Sequence, residues 1–151
     1  MSGQAMSSEL PKTVFRALEN RRIGSASVIA TVDRDGTPHT ALFGSLCVVS
    51  PTALRFGCDR NHATYANIRR DGKVTVSLVA PPDVALSIKG RAKVLKEKMN
   101  LVDTDAIVEI QVDEVKDDLI PGAFIVSGIL YSTAHHVREF IGMYVDEIKA
   151  A

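Results

Sequence analysis

The residues best placed to do chemistry lie in one run, Phe56-Gly57-Cys58-Asp59-Arg60-Asn61-His62-Ala63-Thr64-Tyr65-Ala66-Asn67-Ile68. Leu54, Phe56 and Cys58 alternate with Arg55 and Gly57 as in a strand, and the residues from Asn61 to Arg70 suit a helix, with Tyr65 and Ile68 one turn apart. A strand that hands over to a helix start leaves free N–H groups and the positive end of the helix dipole converging near residues 61–64. Arg60, His62 and the Thr64 hydroxyl are then in reach of a bound anion. The plainer alternative, which spacing alone favours, is that Asp59 or Asn61 caps the helix with Arg60 and His62 solvated beside it. Gly44 and Gly57 divide in the same way: a flat ring needs close backbone approach, or a barrel strand bends there, the commoner reason.

Other chemistry finds little support. No Gly-x-Gly-x-x-Gly, phosphate-loop Gly-Lys-Ser/Thr, His-Glu-x-x-His or Cys-x-x-Cys occurs in the chain. Cys47 and Cys58 are too few for a disulfide framework and are expected as free thiols, Cys58 as a small buried hydrophobe rather than a nucleophile. Adjacent His135 and His136 point about 100° apart on a helix, which does not suit joint chelation of one metal, so they read as surface or interface residues. No metal site is expected, and no residue stands out as a catalytic acid or base. Eighteen basic residues balance eighteen acidic ones, leaving no excess charge for nucleic acid or an anionic membrane. The longest apolar stretch, residues 123–131, is about half the ~20 residues of a spanning helix. With no secretory signal at its start, the chain is expected in the cytoplasm.

The elements that position this junction are legible as changes of period. At 151 residues, 46% hydrophobic and 24% charged, the chain reads as a single domain over residues 1–151, with 1–8 a flexible N-terminus. Leu10, Val14, Ala17 and Leu18 predict an amphipathic helix over 8–21, capped by Ser7 or Ser8. A hairpin follows, with strands over 28–32 and 37–49 joined at Asp35-Gly36. After the junction come strands over 73–79, 84–94 and 106–115, and an apolar strand or buried segment over 124–130. Residues 132–150 predict a closing helix striped by Val137, Phe140, Ile141, Tyr144, Val145 and Ile148. Six or seven short-spaced strands with accessory helices predict an antiparallel barrel, and the apolar surface of so many strands favours a homodimer.

In order and spacing, three segments resemble the FMN-binding split-barrel family that includes pyridoxamine 5'-phosphate oxidase. They are the hairpin Ile29-Ala30-Thr31-Val32-Asp33-Arg34-Asp35-Gly36-Thr37-Pro38-His39, the helix end Asn67-Ile68-Arg69-Arg70-Asp71-Gly72-Lys73-Val74, and the later Ile88-Lys89-Gly90-Arg91-Ala92. The resemblance covers about residues 13–96. It implies a mainly β split barrel that dimerises with two FMN sites at the interface. It places the isoalloxazine along Ala41, Leu42, Phe43, Gly44 and Ser45 and along Gly57, Cys58 and Asp59, and the phosphate at His62, Ala63 and Thr64, after Arg60 and Asn61. Where the family usually carries Arg and Lys this chain has Ala63 and Thr64, so Arg60 first, or His62, Arg69 or Arg70, would supply the charge. The activity implied is an FMN-dependent oxidoreductase or electron-transfer protein with a nicotinamide or other small-molecule donor. The alternative is a non-catalytic module holding a flavin, haem or deazaflavin for storage or sensing.

Overall fold

The period-two run that begins at Val84 becomes a central strand of an antiparallel sheet in the computed structural model, which describes residues 6–19 and 25–151. In chain order the elements are β1 (Met6–Ser7), α1 (Lys12–Glu19), β2 (Ser25–Val32), β3 (Pro38–Phe43), β4 (Cys47–Ser50) and β5 (Ala53–Asp59). Then come α2 (Ala63–Arg70), β6 (Lys73–Ala80), β7 (Val84–Lys96), β8 (Asp105–Asp117), β9 (Ile129–Leu130) and α3 (His135–Ala150). Seven strands pair in the order β3-β2-β6-β7-β8-β5-β4, and the two-residue β1 and β9 attach to β8 and β2. The sheet curls until its far members meet: Phe43 at the end of β3 packs edge-on against Phe56 of β5, ring centroids 4.8 Å apart. The result is the expected antiparallel split barrel with flanking helices.

One face of each strand fills the barrel. Val84, Leu86, Ile88 and Ala92 of β7 meet Ile110 and Val112 of β8, Leu54, Phe56 and Cys58 of β5, and Val74, Val76 and Leu78 of β6. Each fully buried aliphatic or aromatic side chain contributes about 1.5–3 kcal/mol. The alternate residues Lys89, Arg91 and Lys93 stay exposed, as the alternation requires. The hairpin turn forms at Asp35-Gly36, with Gly36 at φ +88° and the Asp35 carboxylate accepting the Thr37 N–H at 3.0 Å.

Several boundaries differ from expectation, each for a physical reason. The strand expected over 37–49 breaks at 44–46, because β3 bonds to β2 whereas β4 bonds to β5, at the opposite end of the strand order. The chain crosses there, and Leu46 is buried in the crossing. Helix α1 begins only at Lys12, since a residue before proline is disfavoured in the helical region and Pro11 sets the start. Ser7 serves a local turn instead, its Oγ accepting the Glu9 N–H. The expected end of this helix at 21 lies outside the described residues, as do residues 1–5 of the N-terminus expected to be flexible. Met6 and Ser7 of that terminus are strand-paired to Lys116 and Val115. Within 124–130 only Ile129–Leu130 is strand, and Phe124 and Val126 are 79% and 91% exposed rather than buried. Of the α3 stripe only Ile148 is fully buried. No described helix is long and apolar enough to cross a membrane.

Candidate functional site

Strand β5 ends at Asp59, and that residue turns the chain into α2: its Oδ1 accepts the Asn61 N–H at 2.8 Å and its carbonyl accepts the His62 N–H at 3.0 Å. The N-cap itself is His62, neither Asp59 nor Asn61, and its Nδ1 accepts the Thr64 N–H at 3.2 Å. An imidazole thus does the work expected of a carboxylate or carboxamide. The nearby arginines are engaged by the chain. Arg60 donates to the Glu97 carbonyl at 2.6 Å, Arg69 pairs with the Glu97 carboxylate at 3.0 Å, and Arg70 bonds the Val32 carbonyl and Asn67 Oδ1.

Two buried polar atoms at this place have no hydrogen-bond partner among the described residues, Thr64 Oγ1 and His39 Nε2. Thr64 is wholly buried, in the first turn of α2. His39 comes from β3, its ring 6.2 Å from that of His62 and its Nδ1 3.7 Å from Asp33 Oδ1. The Asp33 carboxylate is held in turn by buried Asn67, whose Nδ2 donates to it and to Thr31 Oγ1, both at 2.9 Å. A buried polar group without a partner costs about 1–3 kcal/mol, so this corner is built for something further to bond. His39, Asp33 and Asn67 were not singled out by sequence reasoning. Their spacing carries no signal, because β3 and α2 become neighbours only when the barrel curls.

The two segments expected to carry a ring do meet. Ser45 Oγ accepts the Gly57 N–H at 3.0 Å, and Phe43 lies 5.9 Å from the His62 ring. Ala41 and Phe43 are half-buried, whereas Leu42 faces out, 61% exposed. At both glycines the close approach is made by the chain's own phenols. A Cβ at Gly44 would overlap the Tyr131 hydroxyl, and one at Gly57 would overlap the hydroxyl and ring of Tyr144. Tyr144 donates to Asp105 Oδ2 at 2.6 Å, and burial, reinforced by that carboxylate, lifts its pKa far above the ordinary range. Burial, then the Asp105 and Asp59 carboxylates, push the Cys58 thiol up to about 12, which leaves it inert as a nucleophile at neutral pH.

The residues therefore fit a flavin unevenly. The tail end offers orphaned polar atoms beside a helix start, while the approaches to Gly44 and Gly57 are filled by Tyr131 and Tyr144. A cavity of about 570 Å³ lies elsewhere, between α1 and the β6–β7 turn, where Arg16, Leu78, Pro82 and Asp83 line it together with Leu130. Among the described residues no group of three His, Cys, Asp or Glu side chains could hold a metal ion.

Comparison with known proteins bears on this arrangement. No curated protein matches the chain. Among solved structures it is similar to a pyridoxamine 5'-phosphate oxidase-like protein of Lactobacillus delbrueckii, at 23% identity over 72% of this chain and 94% of that one, TM-score 0.60. It is similar to an F420 reductase at 17% identity, covering 72% of this chain and 100% of that one, TM-score 0.57. An FMN-binding protein of Syntrophomonas wolfei follows at 13% identity, 70% and 84% coverage and TM-score 0.51. The family model for pyridoxamine 5'-phosphate oxidase matches residues 16–119, a span that takes in every strand of the barrel from β2 to β8. By that match, the chain belongs to the pyridoxamine 5'-phosphate oxidase family.

Proposed function

We propose that this chain is a cytoplasmic FMN-binding flavoprotein, acting as an oxidoreductase or electron carrier between a reduced nicotinamide or other small-molecule donor and a small acceptor. It works as a homodimer with the cofactor at the interface. Family membership supports a flavin-type cofactor, and the names of two structural neighbours, an FMN-binding protein and an F420 reductase, point the same way. The observation in this chain that carries the reading is the orphaned Thr64 hydroxyl in the first turn of α2, a buried donor in want of an anionic acceptor. Bound FMN would supply the hydride and one-electron chemistry, so no acid–base constellation is required of the protein. The protein's part is to hold the phosphate at His62, Ala63 and Thr64 and to exclude water with the aromatic wall of Phe43 and Phe56. Tyr131 and Tyr144 must move aside, or the ring must take another face of β3 and β5 than the one they cover.

A second reading is a non-catalytic module that stores or senses a flavin, deazaflavin or haem. Ala63 and Thr64 favour it, because charge-assisted bonds to phosphate are about twice as strong as neutral ones. Gentle purification followed by visible absorption, FMN titration of the apo form, and anaerobic mixing with NADH and NADPH separates the two. Yellow protein that bleaches with either nucleotide is expected. FMN binding without bleaching favours the storage or sensing module, and failure to bind FMN at all removes the flavoprotein reading.

A further inference from the structure

The start of α2 is approached by an imidazole from another strand. His39 reaches the start of α2 from β3, edge-on to the His62 ring, with Asp33 against its Nδ1 and a buried, unpartnered Nε2. The wholly buried Thr64 hydroxyl, also unpartnered, stands in the same first turn. Arg60 donates to the Glu97 carbonyl and Arg70 to the Val32 carbonyl and Asn67, while Arg69 pairs with the Glu97 carboxylate.

We propose that His39 is a positioning residue for the cofactor's anionic tail, donating from Nε2 to a phosphate oxygen that Thr64 Oγ1 also reaches. This rests on the flavoprotein reading above and names the group that holds the tail. Asp33 from the β2–β3 hairpin and His62 from α2 flank the His39 ring, and Asn67 links Asp33 to Arg70. Asp33 Oδ1 lies 3.7 Å from Nδ1, beyond hydrogen-bond reach, so the ring can carry its proton on Nε2 and donate it from there.

The test compares FMN with riboflavin, which has the same ring and no phosphate, on the full-length protein, with inorganic phosphate in thermal-shift titrations as a ring-free probe. Wild type is expected to prefer FMN. His39→Ala should cut that preference about ten- to hundredfold and leave riboflavin affinity unchanged. His39→Gln, which keeps a neutral donor, should restore part of it. Thr64→Val should weaken FMN alone. An FMN preference that His39→Ala leaves intact overturns the role of His39 while the flavoprotein reading stands. Stabilisation by phosphate that depends on His39, in a protein binding neither flavin, would sustain the anion site and overturn the flavoprotein reading. If neither flavin nor phosphate binds, both fall.

Discussion

Single residues near the β5–α2 junction are set by what surrounds them rather than by their type. Cys58 illustrates the point: a thiol beside a candidate cofactor site invites a nucleophilic role, yet burial and the carboxylates of Asp105 and Asp59 push it up to about 12. At pH 8 roughly one in ten thousand such thiols is ionised, so native Cys58 should not react with Ellman's reagent over hours. Cys47, buried against Met99 and Ile148, should be equally silent, and both should react within minutes once the chain is unfolded. Rapid modification of either thiol in the folded protein would contradict the burial described here. The identity of Cys58 as a small buried hydrophobe was legible from its place in the alternation of β5. The presence of Asp105 opposite Asp59, with Tyr144 bonded to it, was not, because the three come from parts of the chain far apart in sequence.

Among the elements, α3 shows how a helix with few buried residues is held by polar contacts. Tyr144 bonds Asp105, and Arg55 donates to the carbonyls of Ile148, Lys149 and Ala151 at the helix end. Glu147 accepts the N–H groups of Asn100 and Leu101, both at 2.8 Å, with Lys96 at 3.6 Å. Burial would raise the Glu147 carboxyl, but the two N–H groups and Lys96 outweigh it and hold it below the ordinary carboxylate range. A depressed pKa in the folded state means that its stabilisation is whole above the ordinary value of 4.5 and is lost as pH falls through the lower folded value. Glu147→Gln should therefore cost about 0.5–1 kcal/mol at neutral pH, discounted for its exposure to solvent. The gap between variant and wild type should close in acid, as read from denaturation midpoints at pH 7 and pH 3. A gap that widened in acid would refute this account. The stripe of α3 was legible from its period, but the period could not say that Ile148 alone is fully buried and that Phe140 is left uncovered.

At the scale of the whole molecule, that uncovered surface is the main finding. Ile120, Phe124, Val126 and Leu130 are 56–91% exposed along the segment before α3, and Leu42, Phe140 and Met143 add to the apolar surface. Isolated exposed hydrophobes are ordinary, whereas a run of this kind is what the second copy of the chain in the proposed homodimer would cover. Sedimentation at micromolar concentration should give a dimer, and Phe124→Asp combined with Val126→Asp should give a folded monomer with weakened FMN binding. A wild-type monomer, or a double variant that remains dimeric, would count against this interface. The sequence by itself determined the antiparallel strands, their inward faces and the place where β5 hands over to α2, because those features follow from local period and from turn chemistry at positions such as Asp35 and Gly36. Tertiary structure alone decided that the predicted 37–49 strand must break so that its halves bond to opposite ends of the strand order. It also decided that tyrosines cover Gly44 and Gly57, and that His39 arrives beside His62. The reason is that a strand's pattern specifies which face is buried, whereas the curl of a barrel specifies which distant side chains share the space that the face encloses.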